Sequence, residues 1–387
     1  RRSKWGVSKT LDKHQKQMAA DPFGADGSKI AASKKLVDIS HPKFKAVTRI
    51  LNRANEYWQQ MTVPYPEAAS TAWPTVWPKF RTARTPASRM SFAEGGEGSA
   101  AGALTVLDRA RPVLTYVHRD RLPKGLGPEQ TRSSYIHPLY SLDGEVLTED
   151  FPADHLHHHG LFWAWPAVEV RGAATQSWHP AEPSLRQRFV RWVEREVTDA
   201  GARFTVENVW RLGGAEDVAV ETVSVRVHVA SRFGRAIDIE IAVKPVGGPI
   251  ALRGAAEENK GYGGLCFRGR ASGPAGEPLF KGAAMTTDEG PLEADSAGRP
   301  FRWADLSTAK GGVAVFVSPD HPGFPLPWLV RNSYAGIIDP CWPGLDTASL
   351  EADVPVFLRY RIYIHRGDAR SGRVGQAYAA YAAVRGL

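Results

Sequence analysis

Beyond residue 103 the apolar residues fall at every second position. In 218–230, Val223, Val225, Val227 and Val229 alternate with Ser224, Arg226, His228 and Ala230. In 236–243, Ile237, Ile239, Ile241 and Val243 face one way, and Asp238 and Glu240 the other. In 356–364, Leu358, Tyr360, Ile362 and Ile364 alternate with Arg359, Arg361 and Tyr363. Successive strand side chains point to opposite faces, so these are strands with one dry and one wet face. Further candidates lie near 113–118, 135–140, 145–148, 159–165, 186–197, 203–212, 262–268, 312–318 and 328–338. Asp143-Gly144 between two of them signals a hairpin. Roughly a dozen strands with little helix between them predict an all-β protein, a large antiparallel β-sandwich rather than a βαβ fold. One helix is expected to close the chain, because Val374, Ala377, Tyr378, Tyr381 and Val384 fall at helical spacing.

The N-terminal part reads differently. Phe44, Val47, Leu51, Ala54, Trp58 and Met61 make one apolar helical stripe, with Ser40 as N-cap and Pro64 and Pro66 as a stop. Residues 1–66 carry 13 of the 49 Lys and Arg but only 5 of the 41 Asp and Glu, so the whole excess of +8 sits there. Any polyanion argument is confined to that segment, and no recognised motif accompanies its charge, so nucleic acid is not an expected partner. Residues 67–103, rich in Ala, Ser, Thr, Pro and Gly, read as a linker. The expected organisation is a basic helical segment (1–66), a linker (67–103) and a β-sandwich domain (104–387). No stretch approaches the ~18 apolar residues of a membrane helix, and no secretory signal is visible. A soluble protein is therefore expected, with its compartment open. Cys266 and Cys341 are too few for a disulfide scaffold or a Cys-rich zinc site.

The chemistry-bearing stretch is Asp154-His155-Leu156-His157-His158-His159-Gly160. Six of the 12 His lie between 137 and 179. In an extended backbone, His155, His157 and His159 would project to one side. Three imidazoles there suit a divalent metal, with Asp154 completing the site or orienting a ring. Imidazole is equally suited to proton transfer near neutral pH, and neighbouring imidazoles can also be purely structural. Leu161-Phe162-Trp163-Ala164-Trp165 follows. An indole face beside polar groups is what a sugar site uses, although a strand Trp also serves in a core. Glu258, in Glu257-Glu258-Asn259-Lys260, could pair with a His. Arg268 ends a Gly-rich strand start, and Trp328 closes a Pro-rich loop that begins at Ser318.

Several of these pieces resemble one bacterial family, that labelled "methane oxygenase PmoA". They are Ser134-Tyr135-Ile136-His137-Pro138-Leu139-Tyr140, Asp143–Thr148, Asp150-Phe151-Pro152 and Asp154-His155-x-His157-x-His159-Gly160. Gly263-Gly264-Leu265 with Arg268, Pro327-Trp328 with Arg331, and Arg359-Tyr360-Arg361 follow in order. The resemblance runs from about 109 to 370. It implies a β-supersandwich of the galactose mutarotase-like kind. Asp154, His155 and His157 match both forms of the family motif, whereas His158 and His159 each match one.

The resulting expectation is a carbohydrate-active protein, a lyase, hydrolase or isomerase, that takes a small-molecule or oligosaccharide ligand on a concave sheet face. His155 and His157 would act as acid or base, with Asp154 orienting one of them. His137, His159, Trp163, Arg268, Trp328, Arg331 and Glu258 would bind substrate. No cofactor is assigned. The alternatives are a metalloprotein or oxygenase, with a divalent metal on His155, His157 and His159, and a non-catalytic carbohydrate-binding or scaffold protein.

Overall fold

The computed structural model describes residues 89–95, 102–270, 278–333 and 335–385. Segment 1–66, for which a basic helix is expected, lies outside them. Among the described residues there are twenty-two strands and one α-helix, and every strand pairing is antiparallel.

The alternating segments form the centre of a nine-stranded sheet. β8 (Leu185–Thr198), β9 (Gly201–Leu212), β10 (Glu216–His228) and β11 (Gly234–Pro245) are successive hairpin neighbours, and β22 (Val356–Arg366) lies beside β11. The sheet continues through β18 (Gly311–Val317), β17 (Trp303–Ser307) and β14 (Ala284–Thr287) to β15 (Gly290–Leu292). Register keeps like with like. Val223 sits opposite Ile241, Val225 opposite Ile239, and Ile239 in turn opposite Tyr360. These side chains are buried, each aliphatic one stabilising the fold by about 1.5–3 kcal/mol relative to exposure.

A second nine-stranded sheet packs on that face. Its order is β1 (Met90–Glu94), β2 (Ala103–Asp108), β3 (Arg111–Val117), β4 (Tyr135–Leu139), β5 (Leu161–Ala164), β13 (Gly264–Arg268), β20 (Ile337–Pro340), β19 (Leu326–Arg331) and β16 (Ser296–Phe301). Leu104, Leu114, Ile136, Leu161, Leu265 and Phe267 join Val223 to Tyr360 in one core. β21 (Thr347–Leu350), β12 (Ile250–Arg253), β6 (Ala167–Val170) and β7 (Ala173–Thr175) form a small third sheet. The all-β sandwich and its closing helix, α1 (Val374–Arg385), are as the sequence pattern implies. Val374, Ala377, Tyr378 and Tyr381 bury against Trp303, Phe316 and Tyr363, while Val384 stays exposed.

One boundary needs correction. The stretch read as a linker, 67–103, contains β1, whose Met90 is buried in the core. Arg89 makes a two-nitrogen contact with Asp108, at 2.7 and 2.9 Å, and Asp108 also takes Arg235 at 2.6 Å. Five residues of edge strand are too short to show a period against the surrounding Gly, Ser and Ala.

Candidate functional site

Because strand side chains alternate, the second sheet has a further face pointing away from the sandwich core. Tyr135 on β4, Phe162 and Ala164 on β5, Cys266 on β13, Leu329 on β19 and Ile337 on β20 point there, with Trp178, Cys341 and Tyr262 over them. The histidine run crosses this face between β4 and β5.

The run is not extended. Two turns fold it, with His155 N donating to Pro152 O at 3.0 Å and His158 N to His155 O at 2.9 Å. His155, His157 and His158 therefore cluster, and His159 turns away. His155 stacks on His158 with ring centres 4.8 Å apart, His157 lies 4.6 Å from His158, and His179 lies 4.0 Å from His157. His159 instead packs among Tyr135, Phe151 and Phe162. Its Nδ1 is 2.9 Å from Asp150 Oδ1, and Tyr135 donates to Asp150 Oδ2 at 2.9 Å. The three-His metal set of His155, His157 and His159 is thus split by the turns. Among the described residues no group of three His, Cys, Asp or Glu side chains is arranged to hold a metal ion.

Burial sets the protonation of the cluster. It pushes His157 down to about 3, helped by His179 and His155. It lowers His158 well below the ordinary imidazole value, helped by His157 and Arg268. These rings are neutral near pH 7. Burial lowers His159 to about 4 against the opposing pull of Asp150.

Arg268 anchors the first turn. It is wholly buried, and its Nη2 lies 2.7 Å from both oxygens of Asp154. Burial alone would raise the Asp154 carboxyl, but the Arg268 guanidinium and the His155 imidazole together hold it below the usual carboxylate range. Asp154 Oδ2 lies 3.0 Å from His155 Nδ1. The result is a chain, Arg268 to Asp154 to His155. Arg268, expected to bind a ligand oxygen, holds Asp154 instead.

A cleft of about 200 Å³ opens beside the chain. His155, His157, His158 and His179 form one wall, and Trp178 and Tyr262 supply aromatic surface, their ring centres 4.9 Å apart. Glu257, Lys260 and Arg331 line it too, and Asp339 and Cys266 close its floor. Asp339 is the residue that sequence reasoning missed, although an acid in the otherwise apolar Ile337-Ile338-Asp339-Pro340-Cys341 was the available signal.

Other expected site residues lie elsewhere. Trp163 alternates to the core face of β5, is fully buried, and donates through Nε1 to Glu221 at 3.0 Å. Trp328 does the same on β19, donating to Phe301 O at 2.7 Å. Neither can stack on a ligand, and the indole of the cleft is Trp178. Glu258 sits on an exposed turn, paired with Lys260 at 2.7 Å, and it is Glu257 that reaches the cleft. His137 does not line the cleft, and its Nδ1 is 3.0 Å from Thr148 Oγ1. Arg331 lines it while its Nε lies 3.1 Å from Asp295.

The model of a family of unknown function, DUF6807, matches residues 103–379. No curated protein matches the sequence. Among solved structures, a galactose mutarotase related enzyme from Lactobacillus acidophilus is 7% identical at a TM-score of 0.37, covering 72% of this chain and 98% of that one. The galactose 1-epimerase of Lactobacillus acidophilus NCFM is 9% identical at 0.36, covering 73% and 100%. The heparan sulfate lyase HepC from Pedobacter heparinus is 7% identical at 0.32, covering 69% of this chain, which spans only 34% of that lyase. Likeness at this level carries no argument about what the chain binds. No helix among the described residues is long and apolar enough to cross a membrane.

Proposed function

The chain belongs to DUF6807, a family of unknown function, and from its site we propose that it is a carbohydrate-active protein that holds a sugar in the cleft over the outer face of the second sheet. The observation that carries this is the Arg268–Asp154–His155 chain opening on a cleft with an indole and a phenol in its wall. Aromatic faces take the C–H side of a sugar ring, and neutral imidazoles with nearby charged groups take its hydroxyls. At about 200 Å³ the cleft falls below the ~300–1,000 Å³ of sites for drug-sized ligands, which suits one ring rather than a long chain.

His155 is the acid/base group of this reading. Asp154 fixes its Nδ1 side, which leaves Nε2 for the ligand, and Arg268 fixes Asp154. A positioned imidazole of this kind contributes about 10²–10⁴-fold to a proton transfer. The reaction belongs near an anomeric centre, as glycoside cleavage, epimerisation or elimination.

Calorimetric titration of the full chain with D-galactose, D-glucose and D-glucuronate tests binding. Polarimetry, nitrophenyl glycosides and ultraviolet detection of an unsaturated product test the three reaction types. We expect at least one sugar to bind, Trp178→Ala to weaken it, and His155→Gln to cut turnover by about 10²–10⁴-fold. Binding and turnover indifferent to both substitutions would overturn the proposal.

A further inference from the structure

Asp339 is the group of the cleft that the histidine reading leaves without a part. β20 turns Ile338 into the sandwich core and Ile337 and Asp339 to the cleft. The side chain is fully buried, and neither carboxyl oxygen makes a well-aligned hydrogen bond, the Gly263 amide and the thiols of Cys266 and Cys341 being its nearest donors. The neighbouring cations are engaged elsewhere: Lys260 with Glu257 and Glu258, Arg331 with Asp295, and Arg268 with Asp154. The titratable groups facing Asp339 are Cys266 on β13, Cys341 after β20, and Tyr262 and Tyr360. Burial raises all four, so none of them carries a charge at neutral pH. An ion without a countercharge is costly to bury, and such a group keeps its proton. Burial accordingly pushes Asp339 up to about 8, opposed only by the Gly263 amide and the two thiols.

We propose that Asp339 is the proton donor of the cleft, giving its proton to one oxygen of the bound ligand while His155 takes a proton from another. This rests on the reading of the cleft as a sugar site. At an anomeric centre the carboxyl O–H bond breaks as an O–H bond forms on the ring oxygen. The pair of the ring carbon–oxygen bond stays on that oxygen. Across the ligand, the anomeric hydroxyl loses its proton to His155, and the pair it leaves becomes the carbonyl bond. Ligand protons are conserved, and the carboxylate and imidazolium formed cancel in charge. A neutral carboxyl can also donate a hydrogen bond, which a carboxylate cannot.

Infrared difference spectra of the full chain between pH 6 and pH 10 test the acid without any ligand. The wild type is expected to show a protonated-carboxyl band that titrates near pH 8 and is missing in Asp339→Asn. No such band, or the same band in the variant, overturns the proposal. With the sugar that binds, Asp339→Asn should keep affinity within a few-fold and lose about 10²–10⁴-fold of turnover. It should also lose the alkaline fall of the wild-type pH profile, while Asp339→Glu restores part of the rate. Unchanged turnover, or an alkaline fall that persists in the Asn variant, overturns it as well. If none of the sugars binds the wild type, the sugar reading fails, and the infrared pair still decides whether the cleft holds an acid at Asp339.

Discussion

Removing the Asp154 carboxylate would take both acceptors of Nη2 from a guanidinium that lies wholly out of water. A buried charged donor left without its acceptor costs about 1–3 kcal/mol or more. Asp154→Ala should therefore lower the unfolding free energy by at least that much, as chemical denaturation would show, and Asp154→Asn by less. Trp163 and Trp178 should separate cleanly. Trp163→Phe removes a hydrogen bond to buried Glu221, which also receives Trp210 at 2.9 Å and Asn208 at 2.9 Å. It should cost about 1–3 kcal/mol and leave sugar affinity alone. The opposite pattern, with affinity lost and stability kept, would show that Trp163 and not Trp178 faces the ligand. Asp154 and His155 were legible as candidates from residue type and density alone. The side toward which Trp163 points was not, because a strand Trp reads the same on either face until its partners are known. Arg268 was legible as a residue but not as a role, since its partner lies 114 positions away.

At the scale of elements, the strands announce themselves wherever one face is wet and the other dry, as in β10, β11 and β22. The fully buried strands β5 and β13 show no polar alternation, and β1 is too short to show any. The turns through 152–158 break the period of two, because the chain there folds back on itself inside an isolated Asp150–His159 bridge instead of pairing along a strand. Gly160 fixes the exit of that turn. Its φ is +60°, and an added Cβ would stand 2.5 Å from the Ile136 carbonyl oxygen. Gly160→Ala should cost more than about 1 kcal/mol and disturb the β4–β5 junction, seen as a lower melting temperature and weaker amide protection at Leu161. Likewise, a chain beginning at 104 should melt below one beginning at 89. Only the longer chain keeps Met90 in the core and Arg89 on Asp108.

For the whole molecule, the buried titratable groups set opposite slopes. His157, His159 and His321 are held at about 3, 4 and 4, below the unfolded value near 6.5. Between those limits the unfolded chain binds more protons, so stability is full above about pH 6.5 and falls as pH drops through that window. Asp339 acts in reverse. Held up at about 8 against an unfolded value near 3.9, it costs stability progressively as pH rises through that interval. Maximal stability is expected at roughly pH 6–7, and Asp339→Asn should be favoured increasingly toward pH 8. Unfolding midpoints from pH 4 to 9 would show this, and a curve flat from 4 to 7 would contradict the histidine part. Charge imbalance, by contrast, is a property of residues 1–66 and lies outside the described structure.

The cleft shares its strands with the core: on β13, Leu265 and Phe267 face inward while Cys266 lines the cleft, and on β20 Ile338 sits between Ile337 and Asp339. Two selective pressures are therefore interleaved residue by residue along one backbone. Descendants of this chain can exchange ligand preference by altering every second codon of a strand while the intervening codons stay under constraint for folding.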